Sequence, residues 1–435
     1  MQRRYCQLVE EHLSPADRLA AGLRALPTTA KAFASTQAAW RFFHNERVTL
    51  PRLARPLLVA ARDGVAKQCD AFVLVVHDWS QLHYNDHASK TDRVALSQSR
   101  DLGYELQTVL LVGDRDGDPL GPASLSLRAA DGVHCSRQAT VRPPLSQLDE
   151  LAPAMEFVEK QKFAKPAVHI IDAEADSVGH YRAWSQRPGR YFLVRSDAER
   201  VVEHEGQKRS FSTILRGLQD ERAFRQTRQV LYHGTPAQQA VAEVQVVLTQ
   251  PARPQRRDGR PRRSIPGPPL PLRLMISEVR DASGKVLAVW FLLTNLPSMV
   301  DAETIALWYY WRWRIESYFK WMKSAGQELE HWQQEAAEAI VRRLLVASMA
   351  CVVVWQLMRN NTPEAAEVQQ LLVRLSGRQM KRTKPFTAPA LLAGLWVLLN
   401  VLYVLECYQL QDLHRIANVL FPRLHTGPPK SPKNV

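Results

Sequence analysis

The stretch "AFVLVVHD", residues 71–78, is the part of the sequence that predicts the fold most directly. Its first six residues, 71–76, form a short apolar run rich in β-branched side chains, and His77 and Asp78 follow at once. Strands that are covered on both faces have continuous apolar sequences of this kind. The sequence therefore predicts a buried strand over 71–76 that ends in an acid, Asp78.

A second strand with the same ending occurs in "KPAVHIIDAEAD", residues 165–176. Here "AVHII" is the strand, and Asp172 follows it. Acids at the ends of neighbouring strands share an edge of the sheet, so we expect Asp78 and Asp172 to lie side by side. Either acid alone is typical of an ordinary strand end or helix cap. The pair becomes informative when a third acid joins it.

The segments around these strands predict an α/β fold, a mixed sheet flanked by helices. Two strand-like runs surround the turn signal "GDRDGDPLG" (113–121), which predicts a hairpin. Helical patterns follow near 146–163 and from about 175 to 186, and "RYFLVRS" (190–196) is one more strand. From about 200 to 290, scattered strands surround a basic, proline-rich stretch whose composition favours an extended loop.

Both ends of the chain have helical patterns. Residues 1–66 are predicted to form a small helical unit, and 336–358 and 388–420 to form apolar helices of a C-terminal unit. The longest apolar run, 390–405, contains Asn400 and is shorter than the ~20 residues needed to span a bilayer. It predicts a buried helix rather than a membrane segment.

The third acid stands in "WYYWRWRIESYFKWMKSAG", residues 308–326. Four tryptophans, three tyrosines and four cations surround a single carboxylate, Glu316. At about 100° per residue, a continuous helix places four of these residues within an arc of roughly 60°: Tyr309, Arg312, Glu316 and Lys323. Charges on a packing face are costly unless they are paired or bind a ligand, which favours a site over a plain aromatic stripe.

These residue types predict a site for an anionic ligand with bound cations. Arg and Lys side chains hold phosphates, aromatic rings stack on bases, and carboxylates bind metal ions. Three carboxylates gathered at one sheet edge repel one another unless divalent cations neutralise them. Asp78, Asp172 and Glu316 together therefore predict a two-metal site for phosphoryl transfer.

The composition agrees with a polyanionic partner. The 435-residue chain has a formal net charge of +14, and its 46% of hydrophobic residues is enough for a large core. Nucleic acid is the leading partner class, and an anionic membrane is the second. The five cysteines have no paired spacing and the first residues lack a signal-peptide pattern, so we expect a cytoplasmic protein without a zinc site or disulfides.

Several motifs resemble those of the insertion-sequence-four family of bacterial DDE transposases. The Y-R-E-K signature of that family is similar to the spacing of Tyr309, Arg312, Glu316 and Lys323. "HDWSQLHY" and "DAEAD" stand where the family has its two catalytic aspartates. Three further segments resemble family motifs, and the whole resemblance covers roughly residues 30–330 in order: "AAWRFFHNERV" (38–48), "YFLVRS" (191–196) and "WFLLTNLP" (290–297).

The resemblance implies an RNase H-like catalytic core with Asp78, Asp172 and Glu316 as the DDE triad. It also implies that six residues contact DNA: Tyr309, Arg312, Lys323, Trp290, Arg195 and Trp313. Trp290 is expected to stack on a base flipped out beside the cleavage site, although a buried core Trp is the default for its strand.

The same resemblance divides the chain into five regions. They are an N-terminal helical DNA-binding region, the first part of the core, a β-rich insertion with the basic Arg/Pro loop, the core helix with Glu316, and a C-terminal helical region expected to serve dimerisation: residues 1–66, 67–199, 200–298, 299–330 and 331–435. The first region looks shorter than in the family, so we expect weakened recognition of transposon ends.

The activity implied is cut-and-paste transposition, with end nicking, hairpin formation and resolution, and joining to target DNA. Two Mg²⁺ ions per active site are implied, with Mn²⁺ as a substitute. The partners implied are double-stranded DNA, as terminal inverted repeats and target, and a second copy of the chain in a synaptic homodimer. No membrane is implied.

Two other functions stay open at the level of sequence. A shortened, non-transposing relative would bind DNA and act as an inhibitor or be inactive. A housekeeping nuclease on the same fold would not need the Y-R-E-K helix or Trp290.

Overall fold

The computed structural model describes most of the chain: residues 1–13, 29–98, 100–143, 147–253, 264–324, 326–378 and 386–420. Part of the basic, proline-rich loop, 254–263, lies outside the described residues. The statements below concern the described residues.

The strands form one mixed sheet of thirteen strands. In chain order they are β1 Val73–His83, β2 Val94–Ala95, β3 Leu102–Gly113, β4 Pro119–Ala129, β5 Gly132–Cys135, β6 Ala167–Ile171, β7 Tyr191–Ser196, β8 Val201–His204, β9 Gln207–Ser210, β10 Arg225–Tyr232, β11 Thr235–Leu248, β12 Leu270–Arg280 and β13 Val286–Thr294. Their order across the sheet is β5-β4-β3-β1-β6-β7-β13-β12-β11-β8-β9, with β10 beside β11 and β2 beside β3. The pairings β1–β6 and β6–β7 are parallel.

Helices cover the sheet and form both ends of the chain. In chain order they are α1 Gln2–Leu13, α2 Thr29–Phe43, α3 Leu50–Gln68, α4 Leu151–Lys160, α5 Val178–Ser185, α6 Phe211–Asp220, α7 Ala302–Trp311, α8 Arg314–Lys323, α9 Ala337–Arg359, α10 Pro363–Leu375, α11 Ala388–Cys407 and α12 Leu410–Leu420. The α/β fold class, a mixed sheet flanked by helices with helical regions at both termini, is confirmed.

Alternate residues of β1 face two different cores, because successive side chains of a strand point to opposite faces. Val73 and Val75 pack in a cluster with Val158 of α4. Leu74 belongs to the cluster that contains Leu344 of α9. Helices therefore cover both faces at the centre of the sheet, which explains why the β1 sequence is apolar throughout rather than alternating.

The first strand is longer than the sequence predicts. β1 continues past Asp78, because it pairs with β3 along its whole length and places Asp78 opposite Thr108. The expectation that Asp78 ends a strand is therefore wrong. The parallel pairing with β6, however, stops at His77 opposite Ile171, so Asp78 and Asp172 are the next residues on neighbouring strands.

The residues expected to form a β-rich insertion extend the same sheet. β13 pairs with β7, and β12, β11, β8 and β9 follow outward. The end of β13 is fixed to β7 because the Thr294 hydroxyl donates to the carbonyl of Phe192 at 2.6 Å. The Asn295 amide group then donates to the carbonyl of Arg190 at 2.8 Å. This region is continuous with the core sheet.

The aromatic stretch forms two helices instead of the single helix expected. α7 ends at Trp311 and α8 begins at Arg314. At the junction the amides of Arg312 and Trp313 donate to carbonyls three residues back, at 3.0 and 3.4 Å, as in a tighter 3₁₀ turn. The sequence could not show this break, since the helical period of the stretch is uninterrupted.

The turn of the β3–β4 hairpin supports this junction. Gly117 has a φ of +69°, and a Cβ at this position would lie 2.4 Å from the ring of Trp311. Its carbonyl accepts a hydrogen bond from Nε of Arg314 at 2.8 Å. The positive φ and the close ring both require glycine at this position, and the hydrogen bond from Arg314 lets the hairpin hold the start of α8 in place.

Two consecutive arginines of α9 attach the N-terminal helices to the core. Arg342 donates to the carbonyls of Phe43 at 2.8 Å and Val48 at 2.9 Å. Arg343 is almost fully buried, donates to His12 of α1 at 3.2 Å and stacks on the ring of Trp332. These two side chains thus add hydrogen bonds to the apolar packing of the N-terminal helices on α9.

The C-terminal helices depart from expectation in two ways. α10 was not predicted, and the run 390–405, expected to be a buried helix, is buried only at its start. Leu391 and Leu392 are buried, whereas Val401 and Leu405 are each 47% exposed. Within the described residues, α11 is the one helix whose length and apolar composition would allow it to cross a membrane.

Candidate active site

The two strand acids lie beside each other where the parallel pairing of β1 and β6 ends. Oδ1 of Asp78 accepts from the backbone amide of Trp79 at 2.8 Å, and Oδ1 of Asp172 accepts from the amide of Ala173 at 2.7 Å. Both side chains are mostly buried, with exposures of 14% and 22%. Each carboxylate therefore has one oxygen held by the backbone and one oxygen directed away from it.

Arg312 joins these acids to the helix that follows. Its Nη1 lies 2.8 Å from Oδ2 of Asp78, and its Nη2 lies 3.1 Å from Oδ2 of Asp172. Nη1 also lies 4.0 Å from Oε1 of Glu316, one turn later in the chain. The three carboxylates that the sequence singled out thus converge on one guanidinium group that is only 4% exposed.

Glu316 stands in the first turn of α8, on its solvent-facing side. The opposite side of α8 is held in the core by five buried residues: Ile315, Tyr318, Phe319, Trp321 and Met322. The Glu316 side chain is 47% exposed, in contrast to the two aspartates. The cluster therefore has two buried acids on the sheet and one accessible acid on a firmly packed helix.

Asp172 is the better stabilised of the two aspartates. Its Oδ1 accepts from the Tyr309 hydroxyl at 3.2 Å and from Nε of Arg195 on β7. Burial alone would raise its pKa, but the charges of Arg312 and Arg195 outweigh burial and hold the pKa of Asp172 below its ordinary value. Asp172 is therefore ionised at neutral pH.

Asp78 has fewer partners and an opposite shift. The pKa of Asp78 is raised to about 6, mainly by burial and to a smaller extent by the charges of Glu316 and Asp172. Arg312 and the Trp79 amide oppose this shift only in part. The two guanidinium groups of Arg312 and Arg195 do not fully compensate three neighbouring acids. The site consequently has a deficit of positive charge, which a bound cation would relieve.

Three of the predicted DNA contacts are buried or bonded to other residues in this structure. Tyr309 is 2% exposed and bonds to Asp172, and Trp290 is 8% exposed and packs against the Tyr309 ring at 5.7 Å. Lys323 donates to the carbonyl of Gln81 at 2.6 Å. Trp290 is thus mostly buried in this structure, as its apolar strand favours.

The accessible predicted contacts are Trp313 and Arg195. The Trp313 side chain is 47% exposed and lies 5.3 Å from the guanidinium of Arg312, and Arg195 is 41% exposed beside Asp172. Lys320, one turn after Glu316 on the same exposed side of α8, was not singled out from the sequence. Its spacing of four residues from Glu316 was the available signal, but a single lysine on a helix surface is usually only solvated.

The residues present fit a divalent metal ion by their chemistry. Carboxylate oxygens are the ligands preferred by Mg²⁺ and Mn²⁺, and Asp78 lacks a full counter-charge. Among the described residues no three His, Cys, Asp or Glu side chains are close enough together to hold a metal ion in the arrangement seen here. The guanidinium of Arg312 lies where the three carboxylates converge.

A comparison of the sequence with models of protein families finds a match, and the matched range includes part of this carboxylate cluster. Residues 140–353, just under half of the chain, match the transposase DDE domain family. The matched range contains Asp172 and Glu316 and begins after Asp78. A comparison with curated proteins finds no match. Residues 140–353 are thus similar to a transposase DDE domain, a family with an RNase H-like fold, and this match supports transposase function on DNA.

Proposed function

We propose that this protein is a DNA transposase of an insertion sequence whose reactions use the carboxylates of Asp78, Asp172 and Glu316. The observation that carries the proposal is their convergence on Arg312, next to the point where β1 and β6 separate. The match of residues 140–353 to the transposase DDE domain supports it.

The three carboxylates are the residues proposed to hold Mg²⁺, with two ions per site and Mn²⁺ as a substitute. When bound, such ions supply a Lewis acid for the attacking and leaving oxygens of a phosphodiester. The protein itself keeps Asp172 ionised and oriented through Arg195 and Tyr309. It presents Glu316 on a helix whose buried side fixes its position.

The order of reactions that we propose is cut-and-paste transposition, with end nicking, hairpin formation and resolution, and strand transfer. Its support is the spacing of Tyr309, Arg312, Glu316 and Lys323 together with the order of the other motifs along the chain. Double-stranded DNA is the proposed partner, and the net charge of +14 supports it. A homodimer is proposed because two DNA ends must be joined together.

The contacts with DNA are proposed to begin at the exposed side of α8. Trp313 and Lys320 are accessible there, and Arg195 lies at the rim of the carboxylate cluster. Tyr309 and Arg312 are buried. Their contact with a phosphate requires Arg312 to leave the aspartates.

The experiment is cleavage of labelled DNA that carries the terminal repeats flanking the gene, with Mg²⁺. We expect Asp78→Asn, Asp172→Asn and Glu316→Gln each to lose at least ~10²-fold in rate, because they act as one unit. Glu364→Gln is the matched control, since Glu364 is also an exposed acid in the first turn of a helix, α10. Its rate should equal that of the parent.

Two outcomes separate the alternatives. Loss of cleavage in the three variants with unchanged DNA binding supports the transposase. If the parent binds the repeats without cutting them, the protein is instead a non-transposing DNA-binding relative.

A further inference from the structure

We propose that Arg312 is an internal counter-ion that competes with divalent cations for Asp78 and Asp172, and that cation binding releases its guanidinium group to bind a DNA phosphate. The inference rests on the proposed metal-dependent function. In addition, it states that one side chain couples the binding of the metal ion to the binding of DNA.

The geometry of Arg312 is that of a bridge between two strands. Its two Nη atoms each contact a different aspartate, at 2.8 Å and 3.1 Å, so neither carboxylate is held by both nitrogens. Its Nε is buried and has no hydrogen-bond partner among the described residues. A guanidinium bound for structural reasons alone commonly forms two parallel bonds to one carboxylate. Here it occupies the position between two acids.

The oxygens that Arg312 holds are those a metal ion would need. Oδ1 of Asp78 is directed to the Trp79 amide, and Oδ1 of Asp172 to the Ala173 amide and the Tyr309 hydroxyl. The Oδ2 atoms contact Arg312. Asp78 and Asp172 would hold a cation in competition with the guanidinium, since their Oδ2 atoms are already engaged by Arg312. This explains why no ready metal cluster exists among the described residues although three acids converge.

The competition has an electrostatic reason. Two aspartates side by side repel each other, and a cation between them is required whether or not metal is bound. Arg312 supplies a single positive charge between the two aspartates, and its Nη1 also lies 4.0 Å from Oε1 of Glu316. A divalent ion supplies twice the charge at the same position. The exchange thus favours the metal while leaving the metal-free protein folded.

The position of Arg312 determines where the released group goes. Arg312 lies in the tight turn between α7 and α8, beside Trp313, whose ring is 47% exposed. A guanidinium can stack on that ring as it moves outward, and its planar fork suits a phosphate. Because linkage is reciprocal, each of the two ligands then strengthens the binding of the other.

The first test measures the affinity of the full-length protein for Mn²⁺ without DNA. The concentration of free Mn²⁺ is determined from its electron paramagnetic resonance signal. Arg312→Met removes the charge and keeps the length of the side chain. We expect this variant to bind Mn²⁺ about 10-fold more tightly than the parent, a typical size for such coupling. An unchanged or weaker Mn²⁺ affinity in a folded Arg312→Met protein would overturn the inference.

A matched control separates competition from a general loss of positive charge. Arg195→Met also removes an arginine that contacts Asp172, but Arg195 bonds to Oδ1, not Oδ2, and is 41% exposed. It should tighten Mn²⁺ binding far less, and an equal effect would contradict a specific role for Arg312. If Arg312→Met does not fold, Arg312→Lys serves instead, because lysine offers one nitrogen in place of the two that each contact a different aspartate. Intermediate tightening of Mn²⁺ binding is expected, and an unchanged affinity would count against the inference.

The second test concerns DNA. The affinity for a short random-sequence duplex is measured by fluorescence anisotropy in EDTA and in Ca²⁺ at equal ionic strength. The parent should bind more tightly with Ca²⁺, and Arg312→Met should lose that gain; a gain retained in the variant would overturn the release of Arg312.

The failure of this inference is distinguishable from failure of the proposed function. If Asp172→Asn weakens Mn²⁺ binding while Arg312→Met leaves it unchanged, the metal site stands and the competition does not. If Asp172→Asn and Asp78→Asn both leave Mn²⁺ binding unchanged, the proposed metal site itself is wrong, and the inference fails with it.

Discussion

Asp78 and Asp172 occupy equivalent positions on neighbouring strands but have unlike surroundings. Asp172 accepts hydrogen bonds from Tyr309 and Arg195 in addition to its contact with Arg312. Asp78 contacts Arg312 and the amide of its own neighbour, Trp79. The first carboxylate is therefore stabilised in its charged form, whereas burial makes the charge of the second costly.

This asymmetry predicts opposite effects of two like substitutions on stability. For Asp78 the native pKa of about 6 lies above the unfolded value of 3.8. The free energy of unfolding therefore falls as the pH rises from about 4 to 6, and it stays lower above that range. Asp78→Asn should therefore raise the free energy of unfolding at pH 7.5 by about 1–3 kcal/mol, since one pKa unit corresponds to ~1.4 kcal/mol. Urea unfolding of the parent and of Asp78→Asn in EDTA measures this difference in the free energy of unfolding.

Asp172→Asn is the control for that prediction. The pKa of Asp172 is lowered on folding, so its charge adds stability above the unfolded pKa that is lost as the pH falls. Its substitution should destabilise the protein at pH 7.5. A loss of stability in both variants would contradict the different environments described for the two acids.

Trp290 and Tyr309 show that the sequence did not predict which aromatic residues are buried. Their residue types and spacing suggested contacts with DNA, yet both are buried and pack on each other. Which side of an aromatic residue meets solvent depends on strands and helices distant in the chain. Asp78 and Asp172 do lie side by side as expected, because the edge at which parallel strands separate is fixed by local strand patterns.

At the scale of elements, local patterns predicted the kinds of segment well and their boundaries less well. The apolar runs of β1 and β6 and the turn signal between β3 and β4 correspond to the observed strands and hairpin. The helix break at Arg312 was missed because the amphipathic period continues through it. The full length of β1 was missed because its second half is extended by pairing with β3, a tertiary effect.

The attachment of the N-terminal helices to α9 gives a prediction at this scale. Arg342→Met removes two hydrogen bonds to the carbonyls of Phe43 and Val48 and should destabilise the protein by roughly 1–3 kcal/mol. Hydrogen exchange over α2 should accelerate at the same time, because Phe43 is its last residue. Mass spectrometry of exchange in peptides from 29–43 measures this directly.

Arg343→Met is the matched neighbour. Arg343 is buried, burial lowers its pKa to about 9, and the partners of its guanidinium described here are His12, Gln334 and the ring of Trp332. Replacement of such a buried charge by an apolar side chain of similar length is often close to neutral, so a change within ~1 kcal/mol is expected. Faster exchange over α2 in this variant but not in Arg342→Met would contradict the account of how α2 is held.

At the scale of the whole molecule, a strongly basic chain surrounds an acidic centre. The net charge of +14 attracts DNA over a long range, whereas Asp78, Asp172 and Glu316 repel a phosphate at close range. A cation between the acids resolves this conflict, and the continuous sheet keeps the two aspartates in fixed positions from which to bind it. Activity on DNA is therefore expected to depend on a bound metal ion.

The measurement that tests this claim most directly is cleavage of the terminal-repeat DNA by Glu316→Cys, with Mg²⁺ and with Mn²⁺. A thiolate is a poor ligand for Mg²⁺ but is accepted more readily by Mn²⁺. We expect the parent to cut with both ions, and the variant to lose cleavage with Mg²⁺ and to regain part of it with Mn²⁺. Cleavage by the variant with Mg²⁺ at the rate of the parent, or equal loss with both ions in a folded protein, would contradict a direct metal–Glu316 bond.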